Sequence, residues 1–137
     1  MGELPTQRVP LIIVDSANVV GSVPDGWWRD RRGAAVRLRD SLAGLTANGM
    51  NSAGLPDWAR QGPLDVVLVV EGAARGVAST ETVRVVSAAG IGDDTIVELA
   101  TNEGAGRHCL VVTADRALRA RVEHVGAVTC GPSSLRR

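Results

Sequence analysis

The sequence contains no lysine, and all 15 of its basic residues are arginines. This absence excludes enzymes that form a Schiff base through lysine and phosphate-binding loops that carry the usual lysine. Tyrosine and phenylalanine are also absent and aromatic residues make up only 2% of the chain, so the core must be aliphatic. The net charge is zero. Binding to a polyanion would therefore have to come from local groups of arginines.

Long apolar segments are missing as well. No run approaches the ~20 residues that a membrane-spanning helix needs. Residues 1–10 lack the basic start and the apolar stretch of a signal peptide. We therefore expect a cytoplasmic protein without membrane contact. With 137 residues and neither repeats nor a linker, the chain is expected to form a single domain over residues 1–137.

Short apolar runs alternate with amphipathic segments along the chain. The apolar runs predict strands over residues 9–14, 66–70, 83–88, 109–112 and 127–130. Helices are predicted from residue 29 to about 48, from 94 to about 102 and over 116–124, and residues 50–63 are predicted as a loop. The alternation predicts an α/β fold in which helices cover both faces of a parallel sheet. In such sheets, ligands bind beyond the carboxyl ends of the strands.

Five carboxylates follow predicted strands and should meet at that edge of the sheet: Asp15, Glu71, Asp93, Asp94 and Asp115. Neighbouring strands lie ~4.8 Å apart, so several of these side chains should lie close together. Clustered carboxylates raise each other's pKa unless a cation neutralises them. Oxygen ligands favour Mg²⁺ or Mn²⁺ over Zn²⁺. The pattern therefore predicts a site for one of these two ions.

Helix capping is an alternative explanation for three of the acids. Asp93, Asp94 and Asp115 lie at the beginning of predicted helices, where carboxylates are favoured. Capping does not account for Asp15 or Glu71, each of which directly follows a buried strand. A shared metal ion accounts for the whole group.

The histidines and cysteines are predicted to lie outside this site. His108 begins a strand and His124 ends a helix, which places both at the opposite edge of the sheet. Cys109 and Cys130 should lie at opposite ends of neighbouring strands, too far apart for a disulfide. We expect two reduced thiols and no catalytic histidine.

Three motifs of the sequence resemble the NYN branch of the PIN-like nucleases, and above all the YacP-like NYN group. They are DSANV at residues 15–19, GDD at 92–94 and TADR at 113–116. The resemblance extends from residue 9 to about residue 132. It implies a three-layer α/β/α sandwich with a mainly parallel five-stranded sheet in the order 3-2-1-4-5. It also implies an endoribonuclease that depends on Mg²⁺ or Mn²⁺ and acts on RNA.

The resemblance also assigns roles to residues. It implies that Asp15 is the principal metal ligand and that Asn18 positions the scissile phosphate or a water molecule. Further implied ligands are Asp93, Asp94, Asp115 and, with a less defined role, Glu71. Glu71 stands where related chains often carry aspartate. Arg119 stands where some relatives carry another acid, which indicates a pocket for one ion rather than two.

Arginines and tryptophans provide candidate RNA contacts. One arginine cluster begins near the acidic edge (Arg29, Arg31, Arg32, Arg37 and Arg39), and a second comprises Arg116, Arg119 and Arg121. Arg75 is predicted as a phosphate clamp, because it lies in the glycine-containing loop after Glu71. Trp27 is predicted to stack on a base. The candidate substrate-binding residues are Ser16, Asn18, Trp27, Arg29, Arg32, Arg75 and Arg116. A solvated helix face and core packing of the tryptophan are the alternatives.

Two other functions fit the same residues. A closed pocket would favour a metal-dependent phosphohydrolase for nucleotides or small phosphoesters, whereas an open groove flanked by arginine would favour RNA. A nuclease site that has decayed would leave a module for RNA or ribosome binding, and the ribosome is the candidate macromolecular partner. The oligomeric state, monomer or homodimer, stays open.

Overall fold

A computed structural model describes residues 9–135. Its strands are β1 (Leu11–Asp15), β2 (Asp65–Val70), β3 (Val83–Ser87), β4 (Cys109–Val112) and β5 (Val128–Cys130). They form one five-stranded sheet in the order β3-β2-β1-β4-β5, and every neighbouring pair is parallel. The implied strand order is confirmed. The signal-peptide interpretation of residues 1–10 lies almost wholly outside the described residues.

Helices cover both faces of the sheet. They are α1 (Ser16–Gly21), α2 (Arg31–Ser41), α3 (Ala43–Asn48), α4 (Asp57–Arg60), α5 (Gly92–Asn102) and α6 (Arg116–His124). Residues of α1 to α4 share one apolar core, and residues of α5 and α6 share the other. The predicted α/β/α sandwich is confirmed. No helix within residues 9–135 is long and apolar enough to cross a membrane.

The central strand, β1, is apolar at every position before Asp15 because both of its faces are buried. Ile12 and Val14 belong to the core beneath α1 to α4, whereas Leu11 and Ile13 belong to the core beneath α5 and α6. Alternate side chains of a strand point to opposite faces, so a strand between two helical layers is apolar at every position. This burial places β1 in the middle of the sheet and its last residue at the middle of the carboxyl edge.

Two local predictions are wrong, and one helix was not predicted. The helix predicted from 29 to about 48 is two helices that meet at Leu42, shortly before Gly44, a poor helix former. The segment predicted as a loop contains α4. Helix α1 was not predicted, because its six residues, SANVVG, have little intrinsic helix propensity. Its existence depends on capping and on tertiary contacts.

The amino edge of the sheet carries an ion network. The Arg84 Nη2 atom lies 2.6 Å from Glu103 Oε1 and 3.5 Å from Asp65 Oδ2. The Arg107 Nη2 atom lies 3.4 Å from the same Asp65 oxygen. Hydrogen bonding to Glu103 raises the pKa of Arg84, and the same bond lowers the pKa of Glu103. Each charge in this network faces a partner of opposite sign.

The histidines and cysteines lie as predicted. His108 directly precedes β4 at the amino edge, where its ring stacks on Trp58 with the centroids 4.6 Å apart. His124 ends α6. Both cysteines are free, and the register of β4 and β5 pairs Cys130 with Val112, three residues beyond Cys109.

Candidate active site

Asp15 is the centre of the candidate site. It ends β1, between β2 and β4, and only 5% of its surface is exposed. Its Oδ2 accepts a hydrogen bond from the Thr113 hydroxyl at 2.9 Å, and its Oδ1 accepts one from the Asn18 backbone N–H at 3.3 Å. Both donors are neutral. Burial raises the pKa of Asp15 to about 6; the two hydrogen bonds oppose that shift, and the charges of Asp93 and Glu71 add to it.

Asp15 is also the N-cap of α1, because its side chain accepts from the N–H three residues on. The expectation that capping cannot account for this acid is therefore wrong. Capping alone does not require a buried charge, however, since an exposed aspartate, serine or asparagine caps a helix equally well. The burial at the central strand end is the feature that still needs an explanation.

Thr113 and Asn18 connect the two motifs around Asp15. Thr113 is fully buried, and its hydroxyl accepts from the Asp115 backbone N–H at 3.2 Å while it donates to Asp15. The Asn18 Oδ1 atom accepts from the Ala114 N–H at 2.8 Å. Asn18 thus ties α1 to the loop after β4, and its role toward a phosphate stays a prediction. Thr113 was missed as a site residue, although a polar residue at the end of an apolar strand was a signal.

Asp115 lies between β4 and α6, directly before the first residue of α6. Its Oδ1 accepts from the Leu118 N–H at 3.0 Å, so the capping interpretation is confirmed for this residue. Arg119 donates from Nε to the Thr113 carbonyl at 2.8 Å. The arginine therefore stabilises the loop that presents Asp115.

The acids at the start of α5 differ from each other. The N-cap of α5 is Ile91, without a side-chain capping bond, so the interpretation of Asp93 as the helix cap is wrong. Burial raises the pKa of Asp93, the charges of Asp115 and Asp94 raise it further, and Arg121 opposes them. Asp94 is 71% exposed and lies 3.0 Å from the Arg121 guanidinium. Asp93 belongs to the acidic group, whereas Asp94 is paired at its rim.

Glu71 directly follows β2 and approaches α5. Its Oε1 lies where a side chain on Gly92 would have to go, only 2.7 Å from the position of a Cβ atom there. Gly92 thus permits a carboxylate beside the first turn of α5, where the helix dipole favours negative charge. The charge of Glu71 contributes to the raised pKa of Asp15. The prediction that these acids share one edge of the sheet agrees with this geometry.

The donor chemistry of this edge fits Mg²⁺ or Mn²⁺. Asp15 is electrostatically coupled to Asp93 and Glu71, and Asp93 to Asp115 and Asp94, whereas Arg121 is the one cation coupled to Asp93. Within residues 9–135, no group of three or more Asp, Glu, His or Cys side chains is arranged closely enough to hold a metal. A closed protein cage is therefore not present. Mg²⁺ does not need one, because it usually keeps several waters and binds through one or two carboxylates.

Several predicted RNA-binding arginines hold the loops around the site. Arg32 donates to the carbonyls of Arg75 and Gly76, at 2.8 and 3.2 Å. Arg75 itself donates to the carbonyls of Gly72 and Ala89, at 3.2 and 3.4 Å. Both guanidinium groups stabilise the segment after β2, and their roles toward phosphate stay predictions.

Other arginines project from the surface near the acids. The guanidinium of Arg29 lies 5.7 Å from the ring centroid of Trp28, and that of Arg31 lies 5.4 Å from the centroid of Trp27. Arg116 is exposed in the first turn of α6. These three positions can supply positive charge on either side of the acidic edge.

A cavity of about 190 Å³ opens beside the acids. Its lining includes Ser16, Glu71 and Trp27, three residues singled out in the sequence. Trp28 is 53% exposed, and its ring meets that of Trp27 edge-on at 6.1 Å. Trp27 is half-buried and faces the site, so neither complete core packing nor full exposure describes it.

No protein-family model matches the sequence, and no curated protein matches it significantly. The fold is similar to the crystal structure of a mutant form of Rae1 (YacP) from Bacillus subtilis, with a TM-score of 0.68 and 17% sequence identity. The similarity covers 93% of this chain and 72% of that one. At this identity the comparison establishes the fold. The protein has a YacP-like fold, with its carboxylates gathered at the edge where parallel α/β sheets bind their ligands.

Proposed function

We propose that the protein is a divalent-metal-dependent endoribonuclease that hydrolyses phosphodiester bonds in RNA. The observation that carries the proposal is Asp15, a buried carboxylate whose hydrogen-bond donors are neutral and whose neighbours are other acids. Such a group is unfavourable in the folded protein unless a cation accompanies it. The resemblance of its motif to the YacP-like NYN group agrees with the fold of the solved neighbour.

Asp15 would be the principal ligand. Asp93, Asp94, Asp115 and Glu71 would act mainly through bound water, because no three carboxylates within residues 9–135 lie close enough to hold the ion directly. A bound Mg²⁺ or Mn²⁺ supplies charge neutralisation at a phosphate and lowers the pKa of a water molecule. Thr113 holds the Asp15 carboxylate in position through its hydroxyl. Asn18 fixes the loop that presents Asp115 and would orient the phosphate with its remaining N–H groups.

The proposal is tested with single-stranded and structured RNA, incubated with Mn²⁺, with Mg²⁺ or with EDTA. Wild-type protein should cut internal bonds only when a metal is added. Asp15→Asn should lower the rate by about 100-fold or more, since loss of an outer-shell partner of a metal already costs roughly 10–100-fold. The matched control is Glu98→Gln, which removes an exposed carboxylate from α5 away from the site and should cut at the wild-type rate. Equal rates for wild type and Asp15→Asn would contradict the proposal.

The cavity beside the acids favours one alternative, a phosphohydrolase for nucleotides, because its volume suits a single nucleotide base rather than a helix. The same reactions distinguish the two. A nucleotide phosphohydrolase releases inorganic phosphate or pyrophosphate from mononucleotides and leaves RNA intact. Calorimetric titration with Mn²⁺ addresses the third possibility, a decayed site that only binds RNA or the ribosome, since such a site should show no metal binding.

A further inference from the structure

The cavity next to Asp15 has the composition of a base-binding pocket. Ser16, which lines it, directly follows Asp15, so the cavity opens within one residue of the acidic centre. Its apolar lining residues are Ala17, Val20 and Ala74. The cavity volume of about 190 Å³ accommodates a single planar base.

Trp27 forms a fixed aromatic wall of this cavity. The Asp25 carboxylate accepts a hydrogen bond from the Trp27 backbone N–H at 3.1 Å, and Gly26 before it has the left-handed φ of 81° that directs the turn. The Arg31 guanidinium lies 5.4 Å from the ring centroid, and the Trp28 ring meets the Trp27 ring edge-on at 6.1 Å. An aromatic ring held in this way stacks on a base with little loss of entropy, because it is already ordered.

The polar groups of the cavity select against phosphate and for a base. Glu71 lines it, and its negative charge repels a phosphate group. A carboxylate has two acceptor oxygens, and among the RNA bases only guanine offers two adjacent donors, N1–H and the N2 amino group, to match them. Arg31 also lines the cavity and can donate to guanine O6 or N7, the acceptors that arginine most often contacts.

We propose that this cavity binds one unstacked guanine of the RNA chain, stacked on Trp27 and hydrogen-bonded to Glu71, while the adjoining phosphate lies at Asp15. The inference rests on the proposed ribonuclease function and adds a base preference to it. Single-stranded RNA presents its bases in this way, splayed out and read on the Watson–Crick edge. The preferred cleavage positions should then lie next to guanine.

The test measures binding without cleavage. Wild-type protein in EDTA is titrated against short end-labelled oligouridines that carry a single guanine, adenine or cytosine, and binding is followed by fluorescence anisotropy. We expect the guanine oligonucleotide to bind about tenfold more tightly than the other two, the discrimination typical of a good two-bond contact. Inosine, which lacks the N2 amino group, should lose most of that preference.

Two variants and a matched control identify the residues. Trp27→Leu should weaken binding of the guanine oligonucleotide by about 5- to 100-fold, the range for loss of one stacked base. Trp58→Leu is the matched control, because it removes an indole that stacks on His108 at the amino edge of the sheet, and it should bind like wild type. Glu71→Gln should retain stacking but bind guanine no better than adenine. Thermal unfolding of each variant establishes that it is folded.

Equal affinity of the wild type for the three oligonucleotides overturns the inference, as does equal weakening by Trp27→Leu and Trp58→Leu. Neither result tests the nuclease proposal, because no metal is present and no bond is cut in these titrations. The Mn²⁺ cleavage assay with Asp15→Asn decides that proposal separately.

Discussion

Carboxylates at the two edges of the sheet lie in opposite electrostatic environments. At the amino edge, Glu103 and Asp65 face arginines, and pairing lowers the pKa of Glu103 below its ordinary value. At the carboxyl edge, burial and neighbouring acids raise the pKa values of Asp15 and Asp93, and Arg121 opposes only the shift of Asp93. At the amino edge, arginines neutralise the carboxylates, so this network contributes to stability. At the carboxyl edge, Arg121 pairs with Asp94, whereas no salt bridge within residues 9–135 reaches Asp15 or Asp93, and the proposed cation site depends on these two unpaired carboxylates.

The largest expected effect is at Asp15, where removal of the charge should stabilise the protein. The folded-state pKa is about 6 against an ordinary value of 3.8, and one pKa unit corresponds to ~1.4 kcal/mol. Asp15→Asn should therefore raise the free energy of unfolding at pH 7.5 by up to ~3 kcal/mol in EDTA. Urea denaturation measures this. If the Asp15→Asn protein folds but is less stable than wild type, the conclusion that the buried Asp15 charge is unfavourable is contradicted.

The difference in stability between wild type and Asp15→Asn should depend on pH. Because the folded pKa is raised, wild type is most stable below the unfolded value near 4 and loses stability as pH rises to about 6. Asp15→Asn lacks this titration. The two proteins should thus have similar stabilities near pH 4 and diverge between pH 4 and 6, and a constant difference across that range would indicate another cause.

Added Mn²⁺ should stabilise the protein through the carboxylates at the carboxyl edge and not through those at the amino edge. A ligand that binds only the folded state stabilises it by roughly 2.7 kcal/mol at 100 times its Kd. Raising Mn²⁺ should increase the melting temperature of wild type and of Glu103→Gln alike, and leave Asp15→Asn unchanged. An equal increase in Asp15→Asn would place the ion elsewhere.

A smaller effect of opposite sign is expected at the amino edge. Glu103→Gln removes the partner of Arg84 and should destabilise the protein by about 1 kcal/mol or less at pH 7, because the pair is more than one-third exposed. The pKa of Glu103 is lowered, so this contribution is present above its ordinary value of 4.5 and is lost as pH falls below it. Urea denaturation at pH 7 and pH 3.5 compares the two conditions. Stabilisation at pH 7 would contradict the structural role.

The smallest change in stability is expected for Gly92→Ala. A methyl group there meets the end of the flexible Glu71 side chain, which can move aside, so the free energy of unfolding should change by less than ~1 kcal/mol. The Gly92→Ala protein should nevertheless lose its preference for the guanine oligonucleotide in the anisotropy assay, because the Glu71 carboxylate is displaced. Retention of the preference would show that Glu71 does not read the base from its present position.

Much of the fold follows from local patterns. The continuous apolar run before Asp15 indicates a strand buried on both faces, and the alternation with helices indicates a parallel sheet. Because parallel strands end at a common edge, acids that follow them are predictably close to one another. Helix α1 escaped prediction, since its six residues are held by the Asp15 cap and by the bond between Asn18 and Ala114, which lies 96 residues away in sequence.

Local patterns in the sequence predict the succession of strands and helices and the placement of carboxylates after strands β1, β2, β3 and β4. Which of these carboxylates have partners depends on tertiary contacts: Arg121 pairs with Asp94, and Thr113 with Asp15. The tertiary structure also brings Trp27 and Glu71 to one cavity. The physical reason is that periodicity and strand ends are properties of neighbouring residues. Side-chain partners, by contrast, depend on how elements distant in sequence pack against one another.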